Sequence, residues 1–133
     1  MTMIFVDTSA LLAVSISNDN FHETAQQVWL ALLERAEELV CNNYTIVETI
    51  SLLQRRFGLD SVKFFVENIV PALHVVWVEE SQHDAALNIV LTANRRGLNL
   101  VDCASMETMR RLNINTIFAF DPRFTELGFK AAE

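Results

Sequence analysis

The chain has 133 residues, 51% of them hydrophobic and 20% charged, a balance that excludes a disordered polymer and suits one soluble domain whose core needs no staples. Seventeen acidic against ten basic residues give a formal charge of −7, which argues against a general polyanion binder, since those carry a basic patch. No apolar run approaches the roughly 18 residues that cross a bilayer, and the opening stretch meets Asp7 with no basic region before it, so a cytoplasmic protein without membrane contact is expected.

Residues 2 to 6 read as a buried strand and Ser9 to Ile16 as a short helix, followed by the polar break Ser17-Asn18-Asp19-Asn20,. Asn20 is placed to cap a long helix over 21–38, with Phe21, Ala25, Val28, Trp29, Leu32 and Leu33 at three-four spacing,. Leu39-Val40-Cys41 is a short strand. Asn42 or Asn43 starts a helix through Arg56, with Ile46, Val47, Ile50, Leu53 and Phe57 on its apolar side and Gly58 as its stop,. Asp60 or Ser61 opens a helix to Ala72, His74 to Val78 is a strand rich in β-branched residues, and Glu79 to Arg96 is helical up to Gly97,. A helix over Asp102–Leu112, a strand over Thr116–Phe120 and a one-turn helix or turn over Pro122–Leu127 complete the chain. Strands alternating with helices at these lengths predict a three-layer α/β/α sandwich around a parallel sheet, residues 1–133 forming one domain.

Four carboxylates stand out on this frame. Asp7, Asp102 and Asp121 each end a short apolar stretch, and Glu48 lies among Ile46, Val47 and Ile50. In an open parallel sheet the carboxyl ends of the strands share one edge, and ligands bind in the crevice beyond it. Acids gathered there repel one another unless a cation neutralises them, and hard oxygen donors favour Mg²⁺ or Mn²⁺ over Zn²⁺. Each acid also has an ordinary reading: Asp7 and Asp102 as helix caps, Asp121 before Pro122 as a turn residue, Glu48 as a group rotated to solvent. Cys41 and Cys103 have no metal-binding spacing and read as buried free thiols. The basic pairs Arg55-Arg56, Arg95-Arg96 and Arg110-Arg111 fall near predicted helix ends, where they suit the helix dipole,. His22, His74 and His83 are spaced neither as a ligand pair nor as an acid-base dyad,.

The segments Ile4-Phe5-Val6-Asp7-Thr8-Ser9-Ala10-Leu11-Leu12, Tyr44-Thr45-Ile46-Val47-Glu48-Thr49, Leu100-Val101-Asp102-Cys103-Ala104-Ser105 and Ala119-Phe120-Asp121-Pro122-Arg123-Phe124, with Leu127-Gly128-Phe129 behind them, resemble the four acidic motifs of PIN-domain ribonucleases. The likeness is greatest to VapC-like toxins of toxin–antitoxin pairs, and it runs over the whole chain. The resemblance implies a sheet of about five strands and a metal-dependent endoribonuclease that cleaves single-stranded or structured RNA through metal-activated water. It implies that Asp7, Glu48, Asp102 and Asp121 are catalytic and hold one or two Mg²⁺ or Mn²⁺ ions, Asp7 and Asp102 most directly, and that Thr8 and Ser105 are supporting hydroxyls beside the site. It further implies a homodimer and an antitoxin partner. Pro122 departs from the pattern, standing where a residue with a backbone N–H is usual.

Two other classes compete. A phosphotransferase with Asp7 as covalent nucleophile would want a second acid two residues on, where Ser9 stands. A catalytically silent module that keeps the fold and grips RNA or a protein has no need of all four acids.

Overall fold

The computed structural model describes residues 2–133. In chain order the elements are β1 (Met3–Val6), α1 (Thr8–Ser15), α2 (His22–Glu34), β2 (Glu38–Asn42), α3 (Asn43–Phe57), α4 (Leu59–Phe64), β3 (His74–Val76), α5 (Glu80–Ala93), α6 (Leu100–Leu112), β4 (Thr116–Phe118), α7 (Pro122–Glu126) and β5 (Lys130–Ala131). The strands form one parallel sheet in the order β3-β2-β1-β4-β5. β1 is the central strand, registering Ile4 with Leu39 on one side and with Thr116 on the other. The chain first builds outward through β2 and β3, then crosses back to β4. The point of reversal lies between β1 and β4, where an open parallel sheet leaves its crevice.

Alternation along the strands assigns side chains to two cores. Ile4, Val6, Leu39 and Phe118 face α1, α2, α3 and the turns after α4, meeting Leu11, Trp29, Leu53 and Phe65. Phe5, Val40 and Ile117 face the other way, onto Met109 of α6 and Phe124 of α7. Both faces of the sheet are therefore covered, which explains why β1 reads as a continuous apolar run. α5 packs outside α6 through Ala86, Cys103 and Ala104. Cys41 and Cys103 are free and buried; burial pushes the Cys41 thiol up to about 12.

The helices depart from the sequence expectation in informative places. α2 begins after Phe21, Asp19 rather than Asn20 accepts from the Phe21 N–H, and the helix stops at Glu34, because Ala36 turns left-handed (φ 55°) ahead of β2. On α3 the buried residues are Thr45, Thr49 and Leu53, whereas Val47 is 63% and Phe57 50% exposed; the helix is rotated toward its small polar side. The segment from Leu59 to Ala72 is a short α-helix continued by a wider π turn over Phe65–Ile69 and a 3-10 turn over Val70–Ala72. The N–H-less Pro71 falls in that last turn. α5 ends at Ala93 because Asn94 adopts φ 49°, so Arg95 and Arg96 lie in the following loop, beyond the helix end. Gly58 closes α3 at φ 89°, its N–H reaching Leu53 and Gln54 carbonyls at 3.1 and 3.2 Å. Among the described residues no helix is long and apolar enough to cross a membrane.

Candidate active site

Asp7 leaves the end of β1 and caps α1. Its Oδ2 accepts from the Ser9 N–H at 3.1 Å and from the Ser9 hydroxyl at 2.7 Å, and Ser9 Oγ in turn accepts from the Phe120 N–H at 2.9 Å. A backbone bond from Asp7 N–H to the Phe118 carbonyl, 3.0 Å, ties the same two strand ends. Ser9 therefore fixes Asp7 against the exit of β4, at the reversal point of the sheet. Asp7 is 6% exposed. Burial raises its carboxyl to about 6 against the two Ser9 hydrogen bonds, with further upward pushes from Asp102 and Glu48,.

Asp102 enters from α6. It is the third residue of that helix, and Asn99 is the cap: Asn99 Oδ1 accepts from the Asp102 N–H at 2.9 Å, while Asp102 Oδ2 accepts from the Asn99 N–H at 3.2 Å. This reciprocal pair satisfies two end donors of the helix and orients the carboxylate. The helix thus starts two residues before the expected boundary. Burial raises the Asp102 carboxyl, the Asn99 and Arg123 contacts lower it, and Asp121 and Glu48 raise it.

Asp121 caps α7, accepting from the Arg123 N–H at 3.0 Å. It also receives the Arg123 guanidinium through Nε at 2.9–3.0 Å and through Nη2. The Arg123 hydrogen bonds hold Asp121 below the usual carboxylate range,. Pro122 is the first helical residue of α7, where a missing N–H costs nothing,. The same guanidinium stands 3.2 Å from Asp102 Oδ2 and packs over the exposed Gly97, where an added Cβ would meet Arg123 Nη1 at 3.4 Å.

Glu48 is half-buried, one turn into α3, and its charge reaches both Asp7 and Asp102. Its helix is anchored by the fully buried Asn42, which accepts from the Thr45 N–H at 2.9 Å and donates to Thr108 of α6 at 3.1 Å. Thr8 is buried, its hydroxyl 3.5 Å from that of Thr49. Ser105 is fully buried and donates to the Val101 carbonyl at 3.0 Å. The histidines are engaged elsewhere: His22 with the Ala13 carbonyl, His74 with Glu38, and His83 with Tyr44.

Four acids from four segments thus share one electrostatic neighbourhood. Their donor set is all oxygen and acidic, the chemistry of a hard divalent cation. Among the described residues no three metal-binding side chains stand together as a ready cage; Arg123 supplies the positive charge between Asp102 and Asp121. Ser9, Asn99 and Arg123 are the residues the sequence reading left without a role at the site. A serine two residues after Asp7 and an asparagine three before Asp102 are legible capping signals. Arg123 carried no comparable signal.

The PIN domain family profile matches residues 4–130. The chain belongs to the PIN domain family. It is 30% identical over 131 residues to the 23S rRNA-specific endonuclease VapC20 of Mycobacterium tuberculosis, covering 96% of this chain and 95% of that protein. The crystal structure of Mycobacterium tuberculosis VapC20, described as a sarcin–ricin loop cleaving toxin, superposes with a TM-score of 0.85 at 28% identity over 95% of each chain. VapBC2 from Rickettsia felis, bound to a promoter DNA fragment, shares the fold with a TM-score of 0.71 at 10% identity, over 98% of this chain and 97% of that one.

Proposed function

We propose that this protein is a metal-dependent endoribonuclease of the VapC toxin type, acting on a structured RNA such as a ribosomal stem-loop. The observation that carries the reading is the gathering of acids at the reversal point of the sheet, where Asp7 lies in the field of Glu48 and Asp102, and Asp102 in that of Glu48 and Asp121. Concentrated negative charge with two buried acids is unfavourable in itself, and pays off when a cation and a phosphate are to be handled together. Similarity to an rRNA-specific endonuclease over nearly the whole chain supports the choice of substrate class.

Asp7, Glu48, Asp102 and Asp121 would hold one or two Mg²⁺ or Mn²⁺ ions, Asp7 and Asp102 most directly. Such an ion, when bound, lowers the pKa of water and offsets charge on the phosphate oxygens. The protein's own residues do the positioning. Ser9 locks Asp7 to the β4 exit, Asn99 sets the angle of Asp102, and Arg123 orders Asp121. The histidines hydrogen-bond elsewhere, and the four carboxylates would be engaged by the cation, so water is the expected nucleophile. The products would carry 5′-phosphate and free 3′-hydroxyl ends.

A homodimer and a small antitoxin encoded in the neighbouring reading frame complete the proposal. A second reading, a silent RNA- or protein-binding module, draws on one observation: Arg123 already pairs with both Asp102 and Asp121. The deciding experiment incubates the protein with a synthetic sarcin–ricin hairpin in Mg²⁺ or Mn²⁺ and maps the ends. Metal-dependent cutting with 5′-phosphate ends, reversed by chelator and lost in Asp7→Ala, supports the nuclease. Cutting that persists in chelator, or cyclic 2′,3′-phosphate ends, refutes the metal role, and a folded, metal-loaded protein that binds the hairpin without cutting it supports the module.

A further inference from the structure

Beside the acids lies a pocket of about 360 Å³ lined by Asn43, Tyr44, Val47, Glu48 and Val101. We infer that this pocket is a nucleobase subsite, seating one unstacked base of the RNA next to the phosphate that the acids handle. The inference rests on the ribonuclease reading and names a specificity element within it.

Continuity with the acid site is the first argument. Tyr44, Val47 and Glu48 belong to α3 and Val101 to α6, so the pocket bridges the two helices that deliver Glu48 and Asp102. One of its walls is Glu48 itself, and another is the residue preceding Asp102.

The chemistry of the lining is the second. Apart from Glu48 and Asn43 the walls are aliphatic or aromatic, and no cation lines them, so the pocket suits a flat apolar ring rather than a phosphate. Val47 is 63% exposed, on a helix that turns Thr45, Thr49 and Leu53 inward; it contributes to the pocket and not to the core. Tyr44 is held in place by its hydroxyl on His83 Nδ1 and by an edge contact between the rings with centroids 5.9 Å apart. A wall already fixed loses little freedom when a ring stacks on it. Asn43 Oδ1 accepts from the Val78 N–H at 2.6 Å, which orients the amide and directs its N–H₂ protons elsewhere, as donors for an acceptor on a base edge. The volume falls at the small end of the roughly 300–1,000 Å³ typical of small-molecule sites. Only a base that has left its stack can enter, which favours loops over duplex.

The test is a cycle between protein and RNA. The cut in the sarcin–ricin hairpin is mapped, and each nucleotide flanking it is replaced in turn by an abasic one. Tyr44→Ala should lower kcat/KM roughly tenfold on the intact hairpin, the range of one base–aromatic stack. On the hairpin whose seated base is missing, variant and wild type should agree within about twofold. Val47→Asn, at an exposed position that leaves the core untouched, should show the same pattern more weakly. An equal loss on all the RNAs, or no loss on any, overturns the subsite while leaving the nuclease reading intact. Loss of self-association in Val47→Asn with unchanged cleavage would assign the pocket to a protein contact and likewise overturn it. If wild type cuts no RNA, 2-aminopurine placed at each loop position of the hairpin in turn reports binding to the Asp7→Asn protein. A fluorescence change that Tyr44→Ala removes then sustains the subsite without the nuclease, and no change at any position overturns it.

Discussion

Arg123 and Asp102 meet at 3.2 Å across two successive helices separated by β4, while the same guanidinium grips Asp121 two residues before it. One arginine thus joins the amino ends of α6 and α7 and stands in the charge deficit that the acids create. Hydrogen bonds to charged groups contribute about 1.5–3 kcal/mol each when buried, and less where solvent screens them. Arg123→Ala should therefore lower stability in chelator by about 1–2 kcal/mol, and Mg²⁺ should raise the Tm of the variant more than that of wild type. Thermal unfolding with and without Mg²⁺ checks this. An equal Mg²⁺ response in both proteins would mean that the arginine and the cation do not compete.

Asp7 and Asp121 were legible in the sequence because they follow β1 and β4, and the sheet's topology carries strand ends to one edge; Asp102 ends an apolar stretch that is the first turn of α6 rather than a strand. Asp7 and Asp121 needed only the order of apolar runs. Arg123 was illegible because its partner Asp102 is set by the packing of α6 against the sheet, which no local pattern encodes. The same limit explains α3, where apolar spacing favoured Val47 and Phe57 as core while burial of Asn42, Thr45 and Thr49 set the rotation. β5 went unread from the residues because Lys130-Ala131 is two exposed residues with no alternating pattern, held only by its ladder to β4. The fifth strand came from the family resemblance alone.

Asp7 gives a prediction with a sign. Its carboxyl is raised from an ordinary 3.8 to about 6, so the folded state holds the proton more tightly than the unfolded one. The contribution to stability is full below pH 4 and is lost as pH rises toward 6, by about 3 kcal/mol at most. In chelator, Asp7→Asn removes that loss while keeping a good cap residue. The variant should be more stable than wild type at pH 7, about equally stable near pH 4, and inactive in cleavage. Urea unfolding across this range is the measurement; a less stable Asp7→Asn at pH 7 would contradict the uncompensated charge.

Glu107 on α6 works in the opposite sense. It is 4% exposed, and the hydrogen bonds from Arg110 at 2.5 Å and Arg111 at 2.8 Å hold its carboxyl down at about 2. Its contribution is present above the ordinary value near 4.5 and is lost as pH falls toward 2. Because Arg110 is exposed, Glu107→Gln should cost about 1–2 kcal/mol at pH 7 and nothing near pH 2. Glu107 lies more than a turn beyond Asp102 on α6 and lines a pocket that includes none of the four acids, so cleavage by the folded variant should match wild type.

Arg95 and Arg96 supply the last prediction. Both are exposed in the loop after α5, they make no ion pair among the described residues, and they line an open groove of about 610 Å³ with Asn99. Asn99 caps Asp102, and the adjoining Gly97 lies against Arg123. In a chain of net charge −7, these are cations free to meet an RNA backbone at the edge of the site. Each phosphate contact on a single strand contributes about −0.7 to the slope of log K against log salt. Arg95→Ala with Arg96→Ala should therefore flatten that slope by about 1.4, weaken hairpin binding most at low salt, and leave the Tm unchanged. Binding isotherms at several salt concentrations on the Asp7→Asn background, where no cutting intrudes, decide it. An unchanged slope would place the RNA backbone on another face.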